Sequence, residues 1–476
     1  MIPILRGEDL QEFDNNLKST GQIQNFIRAA GYAAYVRTLQ ILKNPYGKRV
    51  VVVAGPGHNG DDGRVLASYL KRNYIKVAVI PTDSLCEKIT GVDLIVDAAF
   101  GTGLKRPYKF FSHEQIPILS IDVPTGLNCD DGTVFDGALK ADYTVSFVAL
   151  KPGFYFNQGP EYAGSVFFEN LSADLHDVNT FLYESSDIRS LTFKFNKTDH
   201  KWKHAGYVIA GSENMMGAAK LTCDTAIKTG ASIVKVLSLN TAKLSDVTEV
   251  IHQPFDGNWD QKILNEIDRF KVLSIGPGLV LGSQDINRLE NVLTKVELPI
   301  VLDASALNAI GGLHDPKSFL KGVKAVKILT PHAKEFATLL GLKSYNLTYL
   351  DVKKFASDTN SIVLLKGSTT TVSSPTGKTF FINSGSPILA TAGTGDVLTG
   401  LITGLVARSE FNPASHIEAE SFDRLTQLTA AAAYIHSVGF NYLNCDSDTL
   451  KFGFTSSKLI DGVVGALNTL VNQPIC

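Results

Sequence analysis

Residues 49–63 read RVVVVAGPGHNGDDG, a run of β-branched residues followed directly by a glycine-rich turn. Consecutive valines without a polar interruption are typical of a strand that is buried on both faces of a parallel sheet. Beyond the turn, apolar residues recur at helical spacing at Val65, Leu66, Tyr69 and Leu70. A strand, a glycine-rich turn and a helix in this order predict the first unit of a doubly wound α/β domain.

The same alternation of strands and helices continues on both sides of a polar connection. Strand-like runs occur at residues 75–80, 92–96, 116–121 and 143–147, and again at 207–210, 233–237, 272–275, 299–302, 327–329 and 362–365. The polar stretch 184–204 interrupts this pattern, and an Ala-rich helix is predicted at 426–438. We therefore predict an α/β protein of two domains, residues 1–190 and 191–476, of which the first has a Rossmann-like doubly wound sheet.

Composition restricts the class of protein. The 476 residues include 45 Lys and Arg against 47 Asp and Glu, so the net charge of −2 offers no basic field for nucleic acid or an anionic membrane. The N-terminal sequence lacks the plan of a signal peptide, and no apolar run reaches the roughly 18 residues of a membrane helix. Five scattered cysteines without a CxxC pair indicate reduced thiols. We expect a cytoplasmic protein without nucleic-acid or membrane partners.

The first glycine-rich turn satisfies the dinucleotide-binding pattern GxGxxG through Gly55, Gly57 and Gly60. In that pattern a pyrophosphate lies on the helix N-terminus, where amide donors and the helix dipole favour an anion. Asp61 and Asp62 would place two carboxylates in the same turn and oppose a phosphate. The turn therefore suits a metal ion, a neutral polar group or a proton-transfer site better than a dehydrogenase site. Simple helix capping by either Asp is the remaining interpretation.

Two other strands of the first half end in an aspartate followed by a flexible loop. Residues 96–104 read VDAAFGTGL and carry Asp97, and residues 120–128 read SIDVPTGLN and carry Asp122. Open α/β sheets bind ligands at the carboxyl ends of their strands. We therefore expect both aspartates to converge with the loop around Asn59 at one edge of the sheet.

Together with SFVALKPG at residues 146–153, these motifs occur in order and resemble the NAD(P)HX epimerase domain over residues 10–170. That family interconverts the R and S epimers of NAD(P)H that has been hydrated at C6 of the nicotinamide ring. The resemblance implies that Asn59, Asp97 and Thr125 hold a potassium ion and that Asp122 is the acid–base carboxylate. It also implies substrate contacts from His58, Asn59, Gly60, Asp61, Asp62, Gly101, Thr102, Gly103, Leu104, Lys105, Arg106, Pro107 and Asp122.

Several positions depart from the pattern of that family. His58 and Asp61 stand where the family has Asn and Gly in NNGGDG, and Arg28 stands where it tends to have Glu. Gly suits such loops because its backbone approaches ligands closely or adopts positive φ, whereas Asp adds charge and bulk. Thr125 replaces the commoner Ser and keeps the hydroxyl. The alternative to an active epimerase is therefore a degenerate domain that serves for binding or oligomerisation.

A second glycine-rich turn lies in the other half of the chain. Residues 390–400 read ATAGTGDVLTG and lead into an apolar helix predicted at 398–406. The backbone amides of Gly393, Thr394 and Gly395 would form a hole for the anion that develops in phosphoryl transfer. Asp396 would lie beside this hole as the acceptor of a hydroxyl proton. A glycine turn that is merely capped by Asp396 is the alternative.

Other strand ends of the second half carry residues suited to a nucleotide. Lys366–Thr370 follows a predicted strand and suits phosphate or ribose groups, and His332 lies at another strand end in TPHAKEF. The loops IGPGL at 275–279 and LDASAL at 302–307 end strands in the same way. No GxxxxGK[ST] sequence occurs, which excludes a P-loop enzyme.

The motifs AGTGDVLTG, TPHAKEF, VLDASALNAI and LLKGSTTTV are similar to the ribokinase-like superfamily and, within it, to the ADP- or ATP-dependent NAD(P)HX dehydratases, over residues 200–408. The family has Pro-Gly where this chain has Ala333-Lys334. The resemblance implies an α/β/α sandwich in which Asp396 is the base and Gly393, Thr394 and Gly395 form the anion hole. It implies substrate contacts from Ala219, Gly278, His332 and Asp396, and adenine-nucleotide contacts from Lys366, Gly367, Ser368, Thr369, Thr370 and Gly395.

The two resemblances point to one repair reaction sequence. We predict a bifunctional enzyme that epimerises NADHX and NADPHX and dehydrates the S epimer with ADP or ATP through a phosphorylated intermediate. Magnesium would accompany the nucleotide, potassium would bind the epimerase domain, and NAD or NADP would be the substrate moiety. The alternatives are a dehydratase with a non-catalytic N-terminal domain and a ribokinase-like small-molecule kinase. We also expect a homo-oligomer.

Overall fold

The computed structural model describes residues 1–84, 88–104, 108, 112–113, 115–189, 191, 193, 196–238, 249–254, 257–343, 345, 347–409, 419–443 and 453–472. The chain forms two compact units, residues 2–180 and residues 181–476, and Met1 belongs to the second. The division precedes the boundary that we predicted at residue 190. The polar stretch 184–204 is therefore part of the second unit.

The first unit contains a parallel sheet. The strands of this unit, six of which form the sheet, are β1 (Ile2–Pro3), β2 (Arg49–Ala54), β3 (Lys76–Pro81), β4 (Lys88–Ile89), β5 (Leu94–Ala98), β6 (Ser112–His113), β7 (Ile118–Ile121), β8 (Tyr143–Phe147) and β9 (Ser165–Glu169). Its helices are α1 (Gly7–Ser19), α2 (Ile23–Leu42), α3 (His58–Arg72) and α4 (Gly159–Ala163). The sheet has the order β3-β2-β5-β7-β8-β9. Because the order reverses between β2 and β5, their carboxyl ends open a crevice, which is where doubly wound sheets bind ligands.

Helix α3 lies close to this sheet because glycines leave room for it. A Cβ on Gly63 would lie 2.5 Å from the Cβ of Ala98 on β5, and one on Gly31 of α2 would lie 2.5 Å from Val65 Cγ1. Val52 and Val53 of β2 are fully buried, which confirms the predicted buried strand. The close packing brings the first turn of α3 to the crevice between β2 and β5.

The second unit is built on a larger sheet. The strands from residue 180 onward are β10 (Thr180–Leu182), β11 (Ala205–Ile209), β12 (Ile233–Ser238), β13 (Val250–Pro254), β14 (Val272–Ile275), β15 (Ile300–Leu302), β16 (Lys327–Leu329), β17 (Ser361–Leu365), β18 (Thr370–Ser373) and β19 (Thr379–Ile382). From β13 to β19 the sheet has the order β13-β12-β11-β14-β15-β16-β17-β18-β19. Neighbouring strands are parallel up to β17, and β18 and β19 are antiparallel. The order reverses between β11 and β14.

Helices cover both faces of this sheet. They are α5 (Ser185–Ile188), α6 (Met216–Thr229), α7 (Trp259–Leu264), α8 (Ser283–Lys295), α9 (Ala304–Gly311), α10 (Pro316–Gly322), α11 (Ala333–Leu339), α12 (Tyr349–Thr359), α13 (Thr394–Arg408), α14 (Ala419–Val438) and α15 (Ser456–Asn472). One apolar core includes Leu401 of α13 and Leu425 of α14, and another includes Trp259 of α7 and Phe355 of α12. This is the three-layered α/β/α arrangement that the resemblance implied.

The antiparallel hairpin β18–β19 was not predicted as such. Its connection reads SPTGK at residues 374–378, and Gly377 adopts φ +89°. A Pro followed two residues later by Gly is a turn signal between two β-branched runs. The hairpin extends the parallel sheet and lies beside the Lys366–Thr370 segment.

Two further expectations concern cysteines and membranes. Cys129 and Cys223 are buried free thiols, whereas Cys86, Cys445 and Cys476 lie outside the described residues. Among the described residues, no helix combines the length and apolar character that a membrane span needs.

Candidate active sites

A cavity of about 880 Å³ opens at the point where the strand order of the first unit reverses. The loops after β2, β5 and β7 line it, together with residues of α1 and α2. Of the substrate contacts predicted from the sequence, the lining includes His58, Asn59, Asp62, Gly101, Thr102, Gly103, Leu104 and Asp122. Lys105, Arg106 and Pro107 lie outside the described residues.

Gly60 and Asp61, two more predicted contacts, are not part of the lining. Gly60 packs against its own turn, since a Cβ there would lie 1.9 Å from the carbonyl oxygen of Gly55. The Oδ1 of Asp61 accepts a hydrogen bond from Arg64 Nη1 at 3.0 Å, and the Asp61 side chain is 45% exposed. Arg64 thus balances the charge that Asp61 adds to the family pattern, away from the cavity.

The predicted cation ligands all lie at this edge of the sheet. Both amide atoms of Asn59 are buried without a hydrogen-bond partner. The fully buried Asp97 carboxylate accepts from the Thr125 hydroxyl at 2.7 Å, the Thr125 amide at 2.8 Å and the Ser120 hydroxyl at 2.9 Å. Carboxylate, hydroxyl and amide oxygens are the donors that hard cations prefer. An unpaired buried amide oxygen costs about 1–3 kcal/mol, which a bound cation would offset.

Asp122 is held in place by a buried lysine. It follows β7 and adopts the left-handed φ of +66°. Lys151, whose side chain is 1% exposed, donates a short hydrogen bond to Asp122 Oδ1. The same ammonium donates to Ser146 Oγ at 2.9 Å and to two main-chain carbonyl groups. The other oxygen, Oδ2, lies 3.5 Å from the place where Gly101 would carry a Cβ. One oxygen of Asp122 is thus bound by an ammonium, and the other lies beside the loop that lines the cavity.

Two more carboxyl groups line the same cavity, Asp14 of α1 and Asp62 of α3. Burial, reinforced by the charges of Asp122 and Asp61, raises the pKa of Asp62 well above its usual value. Burial and the charge of Asp122 also raise the pKa of Asp14. The cavity therefore combines one carboxylate held by an ammonium with two carboxyl groups whose pKa values are raised. That combination is suited to proton transfer.

In the second unit, the predicted anion hole forms the start of α13. Gly393 precedes the helix at φ +92°, and a Cβ there would lie 2.6 Å from Leu221 Cδ1. The Thr394 hydroxyl donates to the Leu389 carbonyl at 2.8 Å, and the Thr394 amide donates to the Thr391 carbonyl at 3.3 Å. The first amides of a helix have no carbonyl partner within the helix. The amide of Gly395 in this first turn can therefore meet an anion.

Two later helices hold this turn in position. Nε2 of His436 on α14 lies 2.8 Å from the Thr394 carbonyl oxygen. Burial lowers the pKa of His436 to about 4, so the ring is neutral near pH 7 and Nε2–H donates to that carbonyl. Ser456 at the start of α15 donates to the Ala392 carbonyl. The glycine-rich turn is thus fixed by side chains more than forty residues away in the sequence.

Asp396 lies in the first turn of α13. Burial, then the negative charge of Asp303, raises the pKa of Asp396 to about 6, whereas Lys366 opposes this rise. A carboxylate whose pKa lies near the working pH is an efficient general base. This is the property that the predicted role of Asp396 requires.

Lys366 brings the predicted nucleotide segment next to this turn. Its Nζ lies 2.9 Å from Asp303 Oδ1 and 3.7 Å from the place where Gly395 would carry a Cβ. Gly367, Ser368 and Thr369 connect β17 to β18, and Thr370 begins β18. The Thr369 hydroxyl donates to Asn383 Oδ1 at 2.8 Å. The cationic end of the segment is therefore beside the anion hole.

The other predicted substrate contacts surround the strand-order reversal of this unit. The Gly211 amide donates to the Pro277 carbonyl at 2.8 Å, and the Ser212 hydroxyl donates to the Gly278 carbonyl at 2.8 Å. Ala219 on α6 is buried behind Gly211. These contacts bring the loops after β11 and β14 together, as expected for a ligand-binding edge.

His332 immediately precedes α11 and is half exposed. Its Nδ1 accepts from the amides of Lys334 at 3.1 Å and Glu335 at 3.3 Å. Because Nδ1 accepts these bonds, the ring hydrogen available for donation is on Nε2, which lies 3.4 Å from Glu335 Oε1. The Lys366 amide donates to the Pro331 carbonyl at 2.9 Å, which places His332 and Lys366 at one edge.

Comparison with known proteins agrees with this geometry. Residues 207–447, more than half of the chain, match the family described as NAD(P)H-hydrate dehydratase. The chain belongs to the NAD(P)H-hydrate dehydratase family. In this family member, residues 24–85 and 79–153 also match the family described as YjeF-related protein N-terminus. Each unit of the dehydratase-family chain thus has a family match of its own.

Similar proteins share both halves. A bifunctional NAD(P)H-hydrate repair enzyme of Thermofilum pendens is 29% identical and aligns over 74% of this chain and 78% of its own length. One of Synechocystis is 28% identical over 91% of this chain and 89% of its own length. The ADP/ATP-dependent NAD(P)H-hydrate dehydratase of Bacillus subtilis, crystallised with ATP and Mg²⁺, matches 61% of this chain and 98% of its own with a TM-score of 0.50 and 23% identity. That likeness confirms the ribokinase-like fold of the second unit.

Three residues at these sites were not singled out from the sequence. Lys151 and Asp303 lie inside motifs that carry the resemblance, SFVALKPG and VLDASALNAI, but their spacing gives no sign of their partners. Asp14 lies on α1, ahead of every motif. A buried charge in an otherwise apolar motif is the signal that could have indicated the first two.

Proposed function

We propose that this chain repairs hydrated nicotinamide coenzymes by two activities, epimerisation of R- and S-NAD(P)HX in the first unit and nucleotide-dependent dehydration of S-NAD(P)HX in the second. The observation that carries the proposal is Asp396, a buried carboxyl group with a pKa of about 6 beside a helix N-terminus. The family match of the second unit supports dehydration as the reaction in which this base acts. The match of the first unit supports epimerisation, which would supply the S epimer to that site.

In the dehydratase site, Asp396 accepts the proton of the C6 hydroxyl group while that oxygen attacks the terminal phosphorus of the nucleotide. The bond from that phosphorus to the bridging oxygen breaks, and ADP leaves with the bonding pair when ATP is the donor. The amides at the start of α13 and the Lys366 ammonium stabilise the charge on the phosphoryl oxygens. Magnesium carried by the nucleotide phosphates would neutralise further charge there.

Elimination then restores the coenzyme. Hydroxide is a poor leaving group and phosphate a good one, so phosphorylation makes the loss of the C6 oxygen possible. The lone pair of the ring nitrogen assists as phosphate departs with the C–O bonding pair. Loss of a proton from C5 to water then forms the C5–C6 double bond of NAD(P)H. At this stage the residues of the site only hold the ring and the phosphate in one orientation.

In the first unit, Asp122 is suited to accept the hydroxyl proton of the hydrated ring. Removal of that proton allows the C6–N1 bond to open to an aldehyde, and closure on the other face gives the opposite epimer. The carboxyl group of Asp62, whose pKa is raised well above its usual value by burial, lies in the same cavity and can supply a proton to the ring nitrogen. Lys151 keeps the Asp122 carboxylate in one orientation.

The donor atoms at the edge of β5 fit a potassium ion. Asn59, with its orphaned amide, Asp97 and Thr125 would hold it, and the Phe100 carbonyl lies 3.3 Å from the Thr125 hydroxyl. The bound ion would supply positive charge for the substrate in the cavity. The position of Asp61 outside the cavity favours an active epimerase over a degenerate domain.

Recovery of absorbance at 340 nm from a mixture of R- and S-NADHX tests this function in the full chain. We expect full recovery with ATP and magnesium, and epimer exchange without any nucleotide. Recovery of the S fraction only would leave the dehydratase and reject the epimerase. Accumulation of a stable phosphorylated product without NADH would instead indicate a small-molecule kinase.

A further inference from the structure

Asp303 is a buried carboxylate that does not cap the helix that follows it. It directly precedes α9, where an aspartate ordinarily accepts hydrogen bonds from the first helix amides. Asp303 makes no such cap, and its side chain is 3% exposed. Its Oδ1 instead lies 2.9 Å from Lys366 Nζ, and its Oδ2 accepts from the Thr399 hydroxyl at 2.7 Å. The Asp303 carboxylate therefore binds two side chains that are distant in the sequence, and not the helix that follows it.

Both partners of Asp303 lie beside the phosphoryl-transfer machinery. Thr399 is three residues after Asp396, one turn along the same face of α13. The Lys366 ammonium is 3.7 Å from the position of a Cβ on Gly395. The backbone of Asp303 is also fixed, because its amide donates to the Ile275 carbonyl at 3.1 Å. Asp303 thus joins three elements: its carboxylate binds α13 and the residue after β17, and its backbone amide binds the end of β14.

The charges around Lys366 explain why such an anchor is needed. Burial opposes the ammonium, but the charges of Asp303, Glu335 and Asp396 together raise the pKa of Lys366. A buried ammonium without a fixed counter-ion would be strongly destabilised. Held by Asp303, the ammonium keeps its charge and is presented to an anion at the glycine turn.

We propose that Asp303 is a positioning residue of the dehydratase, which holds the Lys366 ammonium where it meets the phosphoryl group being transferred from the nucleotide. The proposal rests on the dehydratase activity proposed above. Asp303 touches neither substrate nor nucleotide, and no bond to Asp303 or Lys366 forms or breaks. The transferred group passes from the nucleotide to the C6 oxygen while Lys366 contacts a non-bridging oxygen.

The first test compares Asp303→Asn with Asp315→Asn in the full chain. Asp315 precedes α10 and is an ordinary cap, accepting from the Ser318 amide at 3.0 Å. We expect Asp303→Asn to lower kcat about 100-fold through misplacement of Lys366. The acid limb of the pH profile should also move to lower pH, because a negative neighbour of Asp396 is lost. Asp315→Asn should keep the kcat and the profile. Wild-type kcat with an unshifted profile in Asp303→Asn would overturn the proposal.

A double-mutant cycle with Lys366→Gln separates positioning from general stability. If Asp303 acts through Lys366, the double variant should be within about threefold of Lys366→Gln alone. Losses that multiply would assign Asp303 an independent structural role and overturn the proposal. If Asp303→Asn fails to fold, Thr399→Val removes one anchoring bond and keeps both charges. We then expect a smaller fall in kcat with the acid limb in place, and an unchanged kcat would contradict the proposal.

Calorimetric titration with ATP and magnesium distinguishes failure of this proposal from failure of the proposed function. If the wild-type chain restores no absorbance at 340 nm, the proposed function fails, but ATP affinity still reports on Lys366. An affinity about tenfold weaker in Asp303→Asn would support the positioning role. Equal affinities in the two proteins would overturn it.

Discussion

Each unit has an aspartate at the centre of its candidate site, but the surroundings of the two aspartates differ. Asp122 receives a hydrogen bond from the buried ammonium of Lys151 and has a left-handed backbone. Asp396 lies in the first turn of a regular helix, and burial raises its pKa to about 6. Lys366, whose charge opposes the rise in the pKa of Asp396, is bound by another carboxylate, Asp303.

This difference shows that residue type does not define a chemical role in either unit. An aspartate bound by a buried ammonium is held in one orientation. An aspartate left without a dedicated partner in a buried place becomes a base that is easily protonated. In the proposed function, the same residue type therefore serves reversible proton exchange in one unit and a nucleotide-dependent step in the other.

Exchange of each aspartate for asparagine should have the largest effect and test whether the two sites are independent. We expect Asp396→Asn to lower dehydration about 10³-fold and leave epimerisation in place, and Asp122→Asn to do the reverse. Absorbance at 340 nm follows dehydration, and proton NMR follows the two epimers. Loss of both activities in either variant would refute the assignment of one reaction to each unit.

Removal of the lysine that distinguishes Asp122 should have the next largest effect. Lys151→Met leaves the carboxylate free to rotate, so we expect epimerisation to fall about 100-fold and dehydration to continue. Lys140→Met is the matched control, because Lys140 is an exposed lysine that pairs with Glu161 at 2.6 Å. Circular dichroism checks that both variants fold. Equal rates for the two variants would show that Lys151 is dispensable.

The pH dependence of dehydration should report the raised pKa of Asp396. The base acts only when ionised, so kcat/KM should fall about tenfold per pH unit below about pH 6. The titration of nucleotide phosphates must be subtracted by measuring ATP binding over the same pH range. A flat profile down to pH 4.5 would remove Asp396 as the base.

The same raised pKa predicts a change in stability. Folding favours the protonated form of Asp396, so this group stabilises the fold below its unfolded pKa of 3.8, and the contribution is lost as the pH rises through about 6. At pH 7, Asp396→Asn should therefore raise the free energy of unfolding by about 1–2 kcal/mol. Thermal unfolding at pH 7 and pH 4 measures this, and the advantage should be smaller at pH 4. A variant less stable than wild type at pH 7 would contradict the burial of an ionised group.

The smallest effect is expected at Asp61, where this chain departs from the family pattern. Because Asp61 pairs with Arg64 outside the cavity, Asp61→Gly should change the epimerisation rate by less than about threefold. The epimerisation rate of Lys151→Met is measured in the same NMR assay, so the rates of the two variants can be compared directly. A rise of tenfold or more would show that Asp61 impairs the site.

Much of the fold was predictable because strands buried on both faces leave a clear signal. The strands 143–147, 272–275 and 327–329 have the predicted bounds. The two-residue strands β4 and β6, which pair with each other in a separate two-stranded sheet, carry no comparable run of apolar residues and were missed. Periodicity is read over several successive residues, and a strand of two residues cannot display it.

The sites were predictable where chemistry lies at a strand end and less so where it depends on distant partners. The rule that ligands bind at the carboxyl ends of strands brought Asn59 and Asp122 together. The same rule gave no indication that Lys151 would bind Asp122, or that His436 would fix the glycine turn. Those contacts depend on the way that the loop after β8 and helix α14 pack, which local sequence does not encode.

The positive φ of Asp122 has a consequence for the history of this sequence. A left-handed backbone costs a residue with a side chain about 1 kcal/mol, and glycine avoids that cost. In a lineage that no longer needed the first activity, drift would favour Gly or Asn at this position, since either relieves the backbone. If the first activity is under selection, a survey of related genomes should find an aspartate kept at this position wherever the buried lysine is kept.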